Sequence, residues 1–435
     1  MIEKILSALK KSGVELYQIT ETKQEKAELY FIRKSLDMQR MGDIRLAEVV
    51  VYKEFQENDR RMMGSATVQV QDSYTEEMME ELFRNTLYAA GFVKNKYYEL
   101  YDGKQAALGD TSEVSDCQTD KTLTGKSLTE IAQSFADALF AEDKETDVFL
   151  NSAELFVMKT TCHIINSKGV DVSYCKSRVQ GEFVVQCTDG QDVETYQHFA
   201  YVNSDTEPLR NKVRETLQMT RDRAKAVSAP PAGEYRVILS GPYVRDIFEY
   251  YVDRSASSMI YQKYSTFQIG CNVQGGTAEK DSINLTMKAT VPYSAEGIPM
   301  KDRELVHDGK LLMIHGGNRF AYYLNLEPTG NYASYKAPAG NVTLNEMRQG
   351  KYLEVVNFSD FQMNSLNGHF GGEIRLAYLC DGEKRIPVTG GSINGNILEA
   401  QKSLVFSSQI QTEESFEGPL AVCMEKIQVA GSTEQ

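Results

Sequence analysis

The chain has 435 residues, of which 25% are charged and 41% hydrophobic, an ordinary balance for a globular protein that buries a real core and has room for two or three domains. Lys plus Arg number 47 against 61 Asp plus Glu, and the formal net charge of -14 argues against binding to phosphate backbones. No apolar run approaches the roughly 20 residues that cross a bilayer, and seven cysteines without CxxC spacing fit a reduced, cytoplasmic setting rather than a disulfide framework.

Met1 to Val14 alternates acids and lysines with Ile2, Ile5, Leu6 and Leu9, the pattern of an amphipathic helix closed at Gly13 rather than of a signal peptide. Strands are expected over Glu28–Ile32, Arg45–Phe55 and Met62–Gln71. Thr75 then offers an N-cap to a helix carrying Met79, Leu82, Phe83 and Leu87 at 3.6-residue spacing. Asp102 to Lys126 is polar throughout and reads as a linker or long surface loop. Ser127 with Glu130 forms a capping box for the next helix, and strands follow over Asp147–Met158, Thr160–Asn166, Arg178–Cys187 and Glu194–Val202. A helix from Leu209 to Ala226 ends this half. Helix, strands, helix therefore occurs twice, dividing an N-terminal α/β domain (1–227) into candidate duplicated subdomains 1–98 and 127–227.

Residues 228–234, with Pro230-Pro231, form the clearest break, because two prolines forbid helix continuation. After it come a strand at Tyr235–Leu239 and a helix over Tyr243–Ser257, started by Gly241-Pro242. The remainder, within a C-terminal domain of 235–435, is strand-rich and punctuated by Gly275-Gly276, Gly316-Gly317, Gly371-Gly372 and Gly390-Gly391, with short helices at Thr343–Arg348 and Ile397–Phe406. The fold class is thus α+β: an α/β lobe followed by a mostly antiparallel, barrel-like or sandwich-like lobe.

Local motifs name no active site. Gly125-Lys126-Ser127 lacks the upstream glycine of a phosphate-binding loop, since Asp120 stands there, and Ser392 lacks the trailing glycine of a nucleophile elbow. No GxGxxG follows a strand. His163, His198, His307, His315 and His369 show no i, i+4 pairing on a helix, and Cys162 and His163 point to opposite faces of one strand. Cys162, Cys175 and Cys187 read as small packed hydrophobes.

Several phrases in fixed order nevertheless resemble a known family. They include Asn166-Ser167-Lys168-Gly169-Val170, Gly297-Ile298-Pro299 and His307-Asp308-Gly309-Lys310-Leu311. Pro328-Thr329-Gly330-Asn331, Gly371 to Tyr378, Pro387 to Asn396 and Val429-Ala430-Gly431 continue the series. Together they are similar to the TldD/PmbA family, which includes proteins called modulators of DNA gyrase and the paired TldD and TldE subunits of a bacterial metalloprotease. The TldD kind carries HExxxH on a helix early in the C-terminal domain, with a cysteine near the end, as zinc ligands. In this chain the equivalent helix reads Asp246 to Arg254: Phe248 and Asp253 stand at the histidine positions and Glu249 matches the glutamate. No histidine lies between His198 and His307, so a shifted register gives the same answer. Cys423 falls near the cysteine's place, but in the context of a packed strand.

The resemblance implies a PmbA/TldE-like subunit without metal of its own. Its implied partners are a TldD-like zinc subunit, or a second copy of itself in a dimer, and unfolded peptide, which could add to a strand edge near the glycines after Gly371. Two alternatives stay open: an autonomous divergent metallopeptidase, with Glu249 and Asp253 as a carboxylate site, and a regulatory binding protein that contacts DNA gyrase. Neither nucleic acid nor membrane is an expected partner.

Overall fold

The computed structural model describes residues 1–103, 125–413 and 415–431. Its first lobe is built on one seven-stranded antiparallel sheet. Helix α1 (Ile2–Lys11) leads into β1 (Leu16–Ile32), β2 (Ser35–Glu57), β3 (Arg60–Gln71), helix α2 (Glu76–Ala90) and the short β4 (Asn95–Lys96). Helix α3 (Leu128–Phe140), β5 (Val148–Asn166), β6 (Asp171–Cys187), β7 (Val193–Tyr201) and helix α4 (Glu207–Ala224) complete it. The strand order is β4-β3-β2-β1-β5-β6-β7, so the two helix–strands–helix runs share a sheet through β1 and β5, in register from Gln18↔Asn166 to Ile32↔Ser152.

Alternation along β1 explains how one sheet serves two helix pairs. Ile19 packs with Ile5, Leu9 and Phe83 beneath α1 and α2, while Ala27, Leu29 and Phe31 pack with Ile131, Phe135 and Val213 beneath α3 and α4. The strands run longer than their sequence suggests. The expected break between Met158 and Thr160 is absent, because Lys159 and Thr160 are held by both flanking strands. Thr75 and Ser127 cap their helices as expected, the latter in a complete capping box. The polar stretch expected as a loop lies mostly outside the described residues, which resume at Gly125.

The second lobe begins with β8 (Gly233–Ser240), turns at Gly241 in the left-handed region (φ +80°), and enters helix α5 (Val244–Arg254). Helix α6 (Ser257–Tyr261), β9 (Leu285–Lys288), β10 (Arg303–His307), β11 (Lys310–Leu311), helix α7 (Asn318–Leu324), β12 (Ser334–Lys336) and helix α8 (Leu344–Met347) follow. Then come β13 (Lys351–Met363), β14 (His369–Asp381), β15 (Arg385–Val388), β16 (Ser392–Asn396) and helix α9 (Ile397–Ala400). Strands β17 (Val405–Phe406), β18 (Ile410–Glu413), β19 (Phe416–Pro419) and β20 (Ala421–Ala430) end the described chain.

One sheet runs β13-β8-β20-β16-β14-β15, and a further pairing of β13 with β14 closes five of these strands into a ring. A second sheet runs β11-β10-β9-β12-β19-β18. Only the β8–β13 and β12–β19 pairs among the named strands are parallel. Helix α5 is enclosed by both sheets in the main core, with Ile247, Phe248 and Tyr251 packed against Leu353, Phe406, Phe416 and Met424.

Three local expectations are corrected. The helix expected to reach Ser257 ends at Arg254, because the backbone at Ser255 to Ser257 bonds with that of His315 instead. The helix expected over Ile397–Phe406 is a single turn followed by β17. Gly371-Gly372 is not a turn but lies mid-strand in β14, between β13 and β16. A Cβ there would meet Ile393 O at 2.8 Å or Asp360 O at 2.5 Å, so the close approach that glycine permits is taken by the protein's own strands. No helix among the described residues is long and apolar enough to cross a membrane.

Candidate functional site at the junction of the lobes

Helix α5 holds the three positions singled out in the sequence, and it aims them apart. Phe248 is 1% exposed, its ring 5.0 Å from that of Phe406 and 5.4 Å from that of Phe416. Glu249 is half-exposed and accepts from Arg245 Nη2 at 3.1 Å, a one-turn ion pair. Asp253 accepts from Ser365 Oγ at 2.6 Å. Glu249 and Asp253 therefore serve different partners and form no joint carboxylate site.

These residues do not fit a zinc ion. Phe248 offers no donor atom, and Asp253 is committed to the Ser365 loop. Cys423 lies within β20, pairing with β8 and β17, and burial pushes its thiol up to about 11, away from the thiolate a metal requires. His315, buried beside the end of α5, donates through Nε2 to Val252 O at 2.9 Å, and burial holds its pKa down, so it is neutral. Among the described residues its buried Nδ1 has no hydrogen-bond partner, and no further metal-binding side chains converge on it. His163 pairs with Asp171 and His307 with Glu304. Among the described residues, no three His, Cys, Asp or Glu side chains come together in a way that could hold a metal ion.

What the sequence did not reveal is a cleft of about 840 Å³ between the lobes. One wall is β7 with Arg223 from α4; the other is the start of α5 with Tyr243, Arg245 and Asp246, joined by Ser359, Arg375 and Glu413. Asp246 is its most perturbed group. Burial, followed by the neighbouring Glu249 charge, raises its pKa from 3.8 to about 7, against the partial opposition of Arg245. Tyr335 donates to Arg245 O at 2.9 Å and Tyr243 Oη accepts from Phe358 N at 3.0 Å, which fixes the beginning of the helix against its surroundings. The cleft therefore offers a carboxyl that can give or take a proton near neutrality, beside fixed cationic side chains.

Its other wall is a sheet edge. β7 is the last described strand of the first sheet, so among the described residues no strand pairs with one side of its backbone. Two side chains cover part of that side: Lys212 donates to His198 O at 3.3 Å, and Arg223 donates to Glu194 O. Glu194 and His198 share the same parity, so the carbonyls along this face point away from β6. An edge with alternate outward carbonyls and amides beside a cleft is the geometry into which an extended peptide can add as a strand. Sequence composition carries no sign of which strand ends a sheet, and the edge expected near Gly371 is closed.

Comparison with known proteins agrees with this architecture. Residues 232–431 match the model of the PmbA/TldA metallopeptidase C-terminal domain. A protein named metalloprotease from Methanothermobacter thermautotrophicus is 23% identical over 276 residues, covering 57% of this chain and 60% of its own length. The structure of TldE from Thermococcus kodakarensis superposes with a TM-score of 0.75 at 16% identity, over 99% of this chain and 100% of that one. A proposed modulator of a DNA gyrase from Thermotoga maritima gives 0.73 at 16% identity, over 99% of both chains. Another from Bacteroides thetaiotaomicron gives 0.72 at 14%, again over 99% of both. At these identities the solved structures establish the fold.

Proposed function

We propose, from the premise that this chain belongs to the TldD/PmbA family through its C-terminal domain, that it is the non-catalytic, TldE-like subunit of a two-component metalloprotease. In this reading a TldD-like partner supplies zinc and the hydrolytic water, and this chain holds unfolded peptide. The observation that carries it is the construction of α5: the position resembling a first histidine ligand is Phe248, built into the aromatic core with Phe406 and Phe416. A core phenylalanine cannot be exchanged for a metal ligand without dismantling the packing around it.

The interlobe cleft supports the second half of the proposal. Strand addition along β7 uses backbone hydrogen bonds, which give affinity with little dependence on sequence and suit unfolded substrates. The net charge of -14 makes a direct contact with DNA unfavourable, so a role at gyrase would run through protein–protein contact. A second reading rests on Asp246: a carboxyl with a pKa of about 7 facing a cleft could serve as a general acid or base in a metal-independent hydrolysis.

Cleavage of an unfolded peptide by this chain alone, by a TldD-like subunit alone, and by the two together tests the proposal. Cleavage is expected only from the TldD-like subunit, and faster when this chain is added. Cleavage by this chain alone, abolished in Asp246→Asn, would establish the second reading instead.

A further inference from the structure

We infer that Arg223 and Arg375 form a subsite in the interlobe cleft that seats the C-terminal carboxylate of a bound peptide. The inference rests on the peptide-holding reading above and specifies how that peptide is oriented.

The two guanidinium groups come from different lobes, Arg223 from the last turn of α4 and Arg375 from β14, and both line the cleft. In a chain of net charge -14, two arginines meeting across a domain junction call for a reason. Among the described residues Arg223 makes no ion pair with a carboxylate, and Arg375 makes only a long, solvent-exposed one with Glu373. Arg223 donates to Glu194 O, while Arg375 donates to Ser359 Oγ at 2.9 Å and reaches Glu373 only at 3.9 Å. Burial and the charge of Arg375 together push the Arg223 pKa down, which means that the pair repels in the absence of an anion. An anion between them would relieve that repulsion, and the planar forks of two guanidinium groups match a carboxylate bidentately.

Strand direction assigns the carboxylate to the end of the peptide. β7 runs from Val193 to Tyr201, and its outer neighbour in an otherwise antiparallel sheet would run the opposite way. The C-terminus of an added antiparallel peptide would then emerge at the Glu194 end of β7. Arg223 stands at that end, bonded to Glu194 O. At the other end Lys212 is already paired with Glu413 at 3.1 Å, so it is not available to a second anion in the same way.

The test uses the full chain and an N-terminally labelled unfolded peptide lacking Asp and Glu, made with a free C-terminal carboxylate and as the C-terminal amide. Fluorescence polarisation should show the acid binding about tenfold tighter than the amide, the scale of one charge-assisted bidentate contact. Arg375→Gln and Arg223→Gln should each remove most of that preference, while affinity for the amide stays within about twofold in Arg375→Gln. Arg223→Lys should retain part of the preference, and thermal melts should show Arg375→Gln folded. Equal binding of acid and amide by the unaltered chain, or a preference that survives both substitutions, would overturn the subsite and leave peptide holding intact. Binding of neither peptide would overturn both.

Discussion

Asp246 lies where α5 meets the cleft, and its raised pKa makes stability depend on pH in a defined direction. Between the unperturbed value of 3.8 and about 7 the folded chain holds a proton on Asp246 that the unfolded chain has released. Stability from this residue is therefore full below pH 4 and is lost as the pH rises through 7. Asp246→Asn should flatten that part of the profile and raise stability at pH 8 by about 1–2 kcal/mol, a figure reduced from the full shift because the side chain is partly solvated. Denaturant melts of both proteins from pH 4 to 8 check this; parallel profiles would remove the assignment. Phe248 makes a separate prediction. Phe248→Ala should cost about 3–5 kcal/mol as a core cavity. The double change Phe248→His, Asp253→His should destabilise the fold and still bind no stoichiometric zinc, as read by elemental analysis, because the first imidazole would lie in the core. The sequence made Phe248 visible as a departure from a family pattern. It could not show Asp246, because the cleft it lines is completed by β7 and Glu413, which are remote from it in the chain.

Elements were legible wherever their signals are local. The capping box expected at Ser127–Glu130 forms, and the short helix expected from Thr343 opens on a second one, Thr343–Glu346, each with reciprocal hydrogen bonds inside one turn. Failures came where tertiary pairing overrode composition: β5 runs unbroken through Lys159-Thr160, and Gly371-Gly372 reads as a turn yet forms the centre of a strand. A buried charge in the second lobe shows the same dependence on long-range partners. Glu354 in β13 is fully buried and accepts from Arg348 Nη2 at 2.6 Å, Ser240 Oγ at 3.1 Å and Arg385 Nη2 at 3.3 Å, joining β8, β13, β15 and the end of α8. Arg348→Met should destabilise by about 3 kcal/mol, since it strands part of a buried anion's compensation. Chemical denaturation checks the figure, and a change below about 0.5 kcal/mol would mean that Arg385 and Ser240 suffice.

At the scale of the molecule, the two-lobed α+β plan was readable from the Pro230-Pro231 break and the change in glycine usage, whereas the cleft between the lobes was not. The lobes are docked by polar contacts that span the chain. Tyr378 donates to Asp222 at 2.5 Å, Asn318 Nδ2 to Glu99 O at 2.6 Å and Gln18 Nε2 to Ala295 O at 2.9 Å, with Lys212–Glu413 at 3.1 Å. Calorimetry should therefore show a single unfolding transition, and two separated transitions would mean that the lobes are thermodynamically independent. The claim that this chain serves a catalytic partner is tested most directly by light scattering of the chain alone and mixed with a TldD-like subunit at micromolar concentration. A new species whose mass requires both chains is expected; two unchanged, separate species in the mixture would rule the pairing out.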